Sequence, residues 1–415
     1  MATLLAVLGA ASPAHAQREP VLRLSRSPAG AWVLDWPRQS VVPPPGQAVF
    51  ATFHVEASPD LLTWQPAGQS PLADGGGFHV ELGSGEEPSA FFRVTSTVDL
   101  EFASLDGAVL DKADFRRGNF YGAALFGASL SEADLTGADL RAADLRAASL
   151  VDASLQGANL FAADLLSADM RNADLREADL SFSQLDNVKL LFGNLAGADL
   201  RSATLAGADL SAVSLRGSKV DTNTVLDAKW QLVWQIVNQS ATQAPLRGAD
   251  LSETELSQVN FQGVDFGAAD LSGAILIGAD LRSANLTLAN LRFVDFRQSL
   301  VDQTTRIPAK WRTVWELVNQ GGVNRDLRNM DLSASFLFKV SLAGAKLGRA
   351  NLSSVSWFVV DLTGADLSSA NLANADLTQS NLSHANLKGA TLTGAILDGV
   401  NFDQTIMPDG TVKSN

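Results

Sequence analysis

The hydrophobic positions of this chain recur every five residues over most of its length. From Leu100 to Leu215, every fifth position is Leu, Phe or Met, 24 times without a break. The residue two places before each of these is usually Ala, and the residue between them is usually Asp, Asn, Ser or Thr. A helix requires apolar spacings of three and four, and a half-buried strand requires strict alternation, so a sustained period of five fits neither. The period is therefore a structural repeat.

Each five-residue unit fits a minimal strand followed by a corner. Ala138 and Leu140 are two residues apart and point the same way, whereas Asp139 between them points outward. The next two residues, Arg141 and Ala142, turn the chain. Repetition winds the backbone into a coil whose Ala and Leu face the axis, with stacked turns joined by hydrogen bonds about 4.8 Å apart. The sequence therefore predicts a mainly all-β solenoid.

The units resemble those of the pentapeptide-repeat family, in which Ala is followed by Asp or Asn, then Leu, then two variable residues. Examples are residues 208–212, 279–283 and 385–389, and the resemblance extends over about residues 99 to 405. It implies a right-handed, four-sided β-helix with four pentapeptides per coil, which we expect to occupy residues 99–415.

Two interruptions of the pattern are copies of one another. The pattern fails from Leu215 to Leu246 and again from Phe296 to Leu327, and the two gaps align at an offset of 81 residues. Each gap predicts an amphipathic helix of about three turns, within inserts at about residues 218–243 and 299–324. The predicted apolar stripes are Trp230, Val233, Trp234 and Val237 in the first insert and Trp311, Val314, Trp315 and Val318 in the second.

The sequence leaves two roles open for the tryptophans of these stripes. A short helix is marginal in water, so each stripe should pack against something. It either braces the outer face of the β-helix or docks a partner, because Trp is enriched in binding hot spots. Inserts with Lys-Trp followed by Val-Trp resemble those of other pentapeptide-repeat proteins, and this resemblance favours the brace.

The first hundred residues have a different composition. Residues 4–11 are an apolar run, and Ala14-His15-Ala16 before Gln17 is typical of a signal-peptide cleavage site. We therefore predict a signal peptide at residues 1–16, although no Lys or Arg precedes its apolar run. Short alternating runs and turns rich in proline and glycine across residues 17–98 predict a small β-sandwich-like module.

The chain is acidic, with a formal net charge of −14, and most of the excess lies on the repeats. A negative surface disfavours nucleic acid and anionic membranes as partners and attracts basic proteins. Some pentapeptide-repeat proteins resemble B-form DNA in shape and charge, bind DNA gyrase and protect it from quinolone drugs. The resemblance therefore implies a second candidate function, that of a cytoplasmic DNA mimic.

No pattern of catalytic or metal-binding residues stands out. The four histidines are scattered at His15, His54, His79 and His384, and the chain has no cysteine. No phosphate-binding loop, nucleophile motif or metal-ligand spacing occurs in the sequence. We therefore assign no catalytic, cofactor-binding or metal-binding residue and expect neither enzyme activity nor a cofactor. No segment has the length of a membrane-spanning helix.

Together these observations predict an exported, non-enzymatic structural or protein-interaction scaffold in the periplasm or outside the cell. Its partner would be a protein, whose identity the sequence leaves open, as it does the oligomeric state. The alternative is the DNA mimic that binds DNA gyrase. Compartment separates the two hypotheses, because gyrase is cytoplasmic.

Overall fold

The computed structural model of the chain describes residues 99–414 continuously and, before them, the backbone of seven strands. These strands are β1 (Arg23–Arg26), β2 (Ala31–Pro37), β3 (Phe50–Ser58), β4 (Gln65–Pro66), β5 (Leu72–Asp74), β6 (Gly77–Ser84) and β7 (Phe91–Asp99). They form two antiparallel sheets, one in the order β1, β2, β6, β5 and one in the order β4, β3, β7. The predicted signal peptide lies outside the described residues.

The last of these strands leads directly into the repeats. β3 pairs with β7 along its whole length, from Phe50 opposite Asp99 to Ser58 opposite Phe91. Asp99 is also bridged in parallel to Asn119, which is the first bridge between coils. The pentapeptide pattern therefore begins where β7 ends.

The chain divides into two compact units. The first contains residues 1–189, 198–208 and 219–225. The second contains residues 190–197, 209–218 and 226–415. Both units contain pentapeptide coils, and both insert helices belong to the second.

Parallel backbone pairing between coils defines the repeat fold in each unit. In the first unit, Leu140 N donates to Asn159 O (2.7 Å), and Asn159 N donates to Ala138 O (2.8 Å). Within an uninterrupted run of repeats the bridged residues are twenty apart, so four pentapeptides make one coil. Ala138 and Leu140 are fully buried, whereas Asp139 is partly exposed. The predicted inward and outward positions of the repeat are thus those of a β-helix.

The corner of each repeat needs a residue in the left-handed backbone region. Gly137 has a φ of 67° there, and Ala142, one repeat later, has a φ of 53°. A non-glycine residue in this region costs about 1 kcal/mol or more. The outward side chain offsets part of this cost, because Asp139 Oδ1 accepts a hydrogen bond from Arg141 N (3.2 Å) across the corner. Short polar side chains at this position therefore help to form the turn.

One axis position holds a tryptophan. Trp357 occupies a position where the repeat places Leu, and it is fully buried. Its indole Nε1 donates to Ser335 Oγ (3.0 Å), and Ser380 Oγ donates to its carbonyl (3.1 Å). Both serines stand where the repeat normally places Ala, so the polar atom of the large ring is satisfied inside the coil.

The second unit also contains the regular elements outside the repeat pattern. Both predicted insert helices are present, as α1 (Ala228–Asn238) and α2 (Ala309–Gln320), and a short 3₁₀ helix follows α1 at Ala241–Gln243. β8 (Phe336–Phe338) pairs in parallel with β9 (Ser356–Phe358) on neighbouring coils. β10 (Thr405–Ile406) and β11 (Val412–Lys413) form an antiparallel hairpin.

Neither insert helix has the length and apolar character that crossing a bilayer requires. The same holds for every other helix in the described part of the chain.

A charge on the coil axis tests the inward assignment of Leu180, whose side chain is 0% exposed. We expect Leu180→Asp to lower the free energy of unfolding by about 3 to 5 kcal/mol, because burial is lost and no partner exists for the carboxylate. Asp179→Asn is the matched control. Its oxygen still accepts the Ser181 N–H bond that Asp179 Oδ1 accepts (3.0 Å). Denaturant titration measures both, and equal destabilisation of the two variants would contradict the assignment.

Candidate functional site

The insert helices each bury an apolar stripe that is shifted from the predicted one. The buried side chains are Trp230, Val233 and Ile236 in α1 and Trp311, Val314 and Leu317 in α2. The remaining members of the predicted stripes, Trp234, Val237, Trp315 and Val318, are only half-buried. The shift has a physical reason, because a Trp at the edge of the stripe can direct its indole N–H to a polar partner.

Helix α2 supplies hydrogen bonds to the coil that precedes it. Trp315 Nε1 donates to the Ser299 carbonyl (3.0 Å), and Asn319 Nδ2 donates to the Phe296 carbonyl (3.0 Å). Within a block, meaning an uninterrupted run of repeats, the carbonyl at the position of Ser299 accepts an N–H from the next coil. The indole of Trp315 therefore takes the place of a missing hydrogen bond between coils.

Helix α1 makes the same contacts 81 residues earlier. Trp234 Nε1 donates to the Ser218 carbonyl (3.0 Å), and Asn238 Nδ2 donates to the Leu215 carbonyl (3.0 Å). Asn238 Oδ1 also accepts a hydrogen bond from Gly217 N (2.6 Å). The duplicated sequence thus produces a duplicated set of contacts.

A lysine at the start of each helix reaches the block that follows. Lys310 Nζ lies 3.0 Å from Asp331 Oδ2 and 2.9 Å from Ser333 Oγ, and it sits 4.9 Å from the centre of the Trp311 ring. In the first insert, the corresponding contacts are Lys229 Nζ to Ser252 Oγ (2.9 Å), to Asp250 Oδ1 (3.4 Å) and to the Trp230 ring (5.0 Å). Each helix therefore contacts the coils on both sides, which favours the brace over the docking surface.

An aspartate organises the loop before each helix. Asp302 Oδ1 accepts hydrogen bonds from the hydroxyl of Thr304 (2.8 Å) and from the backbone N–H groups of Ser283 (3.1 Å), Thr304 (2.9 Å) and Thr305 (2.8 Å). These bonds lower the pKa of Asp302. Asp221 is its counterpart in the first insert. A hydrogen bond from Ser202 N, together with others from the loop, lowers the pKa of Asp221 to about 2.

Many of the outward aspartates are paired with arginines. In the residues that the structure describes, nine Asp-x-Arg triplets form a two-bonded fork, as in Asp139, whose two oxygens accept from Arg141 Nε (2.8 Å) and a terminal nitrogen (2.7 Å). The other eight are Asp114-Arg116, Asp144-Arg146, Asp169-Arg171, Asp174-Arg176, Asp199-Arg201, Asp280-Arg282, Asp295-Arg297 and Asp326-Arg328. The fork lowers the pKa of Asp139 and raises that of Arg141. Much of the negative charge on these faces is therefore compensated locally.

The sequence analysis assigned no catalytic or metal-binding residue. The tryptophans that it considered for docking a partner make contacts within the fold instead. Among the described residues, no group of His, Cys, Asp or Glu has the arrangement of a metal site. His384 lies at a corner with a φ of 58°. The sequence analysis missed the asparagines of the two braces and the loop aspartates, although the 81-residue duplication singles out the motif Val-Asn-Gln that contains the asparagines.

Removing the brace contacts should destabilise the second unit. We expect Trp315→Ala to lower the free energy of unfolding by about 2 to 3 kcal/mol, because a half-buried ring and a hydrogen bond are lost. Asn319→Ala should cost about 1 to 2 kcal/mol. Gln320→Ala, an exposed change on the same helix, is the control. An unchanged melting temperature in both brace variants would refute the brace.

The loop aspartates predict a pH dependence of stability in acid. The folded pKa of Asp221 lies near 2, below the value of about 3.9 in an unfolded chain. The carboxylate therefore adds stability that is fully present above pH of about 4 and is lost as the pH falls toward 2. Asp221→Asn should flatten the pH dependence of the melting temperature in that window. Asp209→Asn, which changes an outward carboxylate with one backbone hydrogen bond, from Ser211 N (3.1 Å), should leave it nearly unchanged, and equal effects would contradict the assignment.

Solved structures of several repeat proteins resemble this chain. HetL, a pentapeptide repeat protein involved in heterocyst differentiation regulation in the cyanobacterium Nostoc sp. strain PCC 7120, is 26% identical; the match covers 76% of this chain and 94% of HetL, with a TM-score of 0.24. A pentapeptide repeat protein of the Arabidopsis thaliana thylakoid lumen is 29% identical over 28% of this chain and 78% of its own, with a TM-score of 0.24. QnrB1, a plasmid-mediated fluoroquinolone resistance protein, is 16% identical over 49% of this chain and 89% of its own, with a TM-score of 0.23.

The family is established by the repeats themselves. No curated protein matches the chain significantly, and the low TM-scores of the solved structures carry no argument about function. The family model for pentapeptide repeats matches eight copies, at residues 96–131, 125–165, 153–190, 193–220, 238–267, 265–300, 361–399 and 370–407. Because these copies span more than half of the sequence, the chain belongs to the pentapeptide-repeat family.

Proposed function

We propose that the protein is a non-enzymatic structural or protein-interaction scaffold. The observation that carries this proposal is the structural use of its outward polar side chains. Asp139 and its equivalents close corners and bind arginines, and the Trp and Asn side chains of the inserts bind coil carbonyls. Catalysis needs convergent groups that are free to react with a substrate. The described repeats instead offer a broad, regular surface on which a protein can dock.

Two pairs of exposed aromatic side chains in the first unit support a protein partner. Phe161 and Phe182 are 41% and 58% exposed, and their ring centres are 5.3 Å apart. Phe102 is 66% exposed and lies 5.3 Å from the ring of Tyr121. Tyr121 and Phe161 are forty residues apart and thus lie in one column, two coils from each other. Exposed apolar patches of this kind mark interaction surfaces.

The proposal includes the finer architecture implied by the family. Residues 99–415 form a right-handed, four-sided β-helix, and residues 17–98 form a small β-sandwich-like module before it. The two antiparallel sheets of that segment support the second point. The twenty-residue spacing of the bridges supports the first, because it allots four pentapeptides to each coil.

The proposal places the scaffold in the periplasm or outside the cell. Its support is the sequence of residues 1–16, in which an apolar run precedes Ala14-His15-Ala16. A cytoplasmic DNA mimic that binds gyrase is the alternative. The Asp-Arg forks count against it, because each fork places a cation beside a carboxylate that would otherwise imitate a phosphate.

Cell fractionation combined with N-terminal sequencing of the native protein tests this proposal. We expect the protein in the periplasm or culture medium, with Gln17 as its first residue. Replacing Ala14 and Ala16 with bulky residues should block cleavage, because the cleavage site requires small side chains. Replacing Ala11 with the same residue, outside the site, is the control. Recovery of the protein from the cytoplasm with Met1 intact would favour the alternative.

A further inference from the structure

The third repeat block ends with a sequence that resembles the start of the second insert. Residues 301–308 read Val-Asp-Gln-Thr-Thr-Arg-Ile-Pro, and residues 402–408 read Phe-Asp-Gln-Thr-Ile-Met-Pro. The two segments differ in length by one residue. The end of the last block is therefore a third copy of the segment that leads into a brace helix.

The third copy also folds like the second insert as far as the proline. Thr305 Oγ1 donates to the carbonyl of Leu281 (2.9 Å). Thr405 Oγ1 donates to the carbonyl of Leu382 (2.6 Å), which lies 101 residues after Leu281. The next residue in each copy, Arg306 or Ile406, bridges in parallel to Asn285 or Asn386 respectively, again 101 residues apart. Positions in the second block therefore map onto the third by adding 101.

The two copies diverge after the proline. Pro308 is followed by helix α2, whereas Pro408 is followed by the turn and strand of the β10-β11 hairpin. Lys413 of this hairpin lies over the Phe402 ring, with its Nζ 4.0 Å from the ring centre. The hairpin thus covers the corner at Phe402, and no brace helix follows within the described residues.

The surface on which a brace would sit is present but uncovered. Helix α2 binds the carbonyls of Phe296 and Ser299, and the equivalent positions in the last coil are Leu397 and Val400. We call the carbonyls and side chains of Leu397 and Val400 the third seat. Phe296 and Ser299 are fully buried, but Leu397 and Val400 are only half-buried. Among the described residues, no donor reaches the Val400 carbonyl, and the Leu397 carbonyl accepts only Val400 N (3.2 Å).

We propose that the third seat binds an amphipathic helix of another polypeptide, one that carries Trp and Asn four residues apart. Two equivalent seats in this chain are already covered by such a helix. Helices α1 and α2 each place a Trp and an Asn with this spacing on the equivalent carbonyls. The indole N–H would bind the Val400 carbonyl and the amide N–H the Leu397 carbonyl. This inference rests on the proposed scaffold function and specifies the chemistry of its partner.

The recognition would combine polar and apolar contacts. The carbonyls fix the positions of the Trp and Asn donors along the helix, because each buried donor needs its acceptor. The apolar stripe of the helix would cover the half-buried side chains of Leu397 and Val400. Helices recognised in this way are read through side chains spaced by one turn. A helix without the Asn, or with the two residues at another spacing, would lose one of the two hydrogen bonds to these carbonyls.

The chain supplies its own probe for the third seat. A labelled synthetic peptide of residues 305–322, which contains α2, is titrated with the full-length protein, and binding is followed by fluorescence anisotropy. We expect saturable binding of one peptide per chain, since the first two seats are already occupied. Peptides with Trp315→Ala or Asn319→Ala should bind at least tenfold more weakly. A peptide with Gln320→Ala, a change outside the contacts, should bind like the parent.

Two variants of the protein complete the experiment. Val400→Asp places a charge in the seat and should weaken binding at least tenfold, whereas Val412→Asp, on the exposed part of β11, should leave it unchanged. Circular dichroism and melting confirm that both variants fold. If Val400→Asp does not fold, the peptide variants alone decide the result.

Absent saturation, equal binding of the Trp and Asn peptide variants, or unchanged binding to folded Val400→Asp would each overturn the proposal. Self-association of the protein that the Val400→Asp change abolishes, without peptide binding, would also overturn it in favour of a second copy as occupant. A negative peptide result combined with a mature terminus at Gln17 would reject the third seat and leave the scaffold proposal standing.

Discussion

Backbone pairing between coils is the interaction on which the rest of this structure depends. In most repeats, the axis residue donates its N–H to the next coil, and the carbonyl two residues before it accepts an N–H from that coil, as with Leu140 and Ala138. Buried backbone groups must find partners, so a coil without a neighbour is costly. The apolar axis packs only because the coils are held in register by these bonds. Every interruption of the repeat must therefore replace the bonds that it removes.

The inserts and corners are understood as responses to that requirement. Where the coil is interrupted, Thr305, Trp315 and Asn319 bring side-chain donors to carbonyls that lack or share a coil partner. Where the chain turns, Asp139 and its equivalents accept the N–H of the corner. The repeated strain of left-handed corner residues is tolerated because each corner lies between two paired segments. The same polar side chains then bind arginines, which limits the charge that the faces present.

The sequence predicted the parts of the fold that depend on burial. The period of five identified the axis positions, and the duplicated Trp stripes identified both helices. It did not predict the contacts that depend on which carbonyls an interruption leaves without a partner. The roles of Asn319 and Asp302 were therefore missed. For the same reason, the predicted stripe of α2 contained Trp315, whereas the structure buries Leu317. Trp357 was missed because its partners, Ser335 and Ser380, are polar residues at positions that the repeat reserves for Ala. The Asp-Arg forks were also missed, although their spacing of two residues marks them in the sequence.

Amide hydrogen exchange in the third block tests most directly whether pairing between coils controls stability. The amides of Leu342 and Leu362 donate to the next coil (2.7 Å each), whereas those of Leu392 and Leu397 have no such partner among the described residues. All four belong to axis positions of the same repeat. We predict that the first two exchange only through global unfolding and that the last two exchange orders of magnitude faster through local exposure. Equal protection of all four amides would contradict the central role of the ladder between coils.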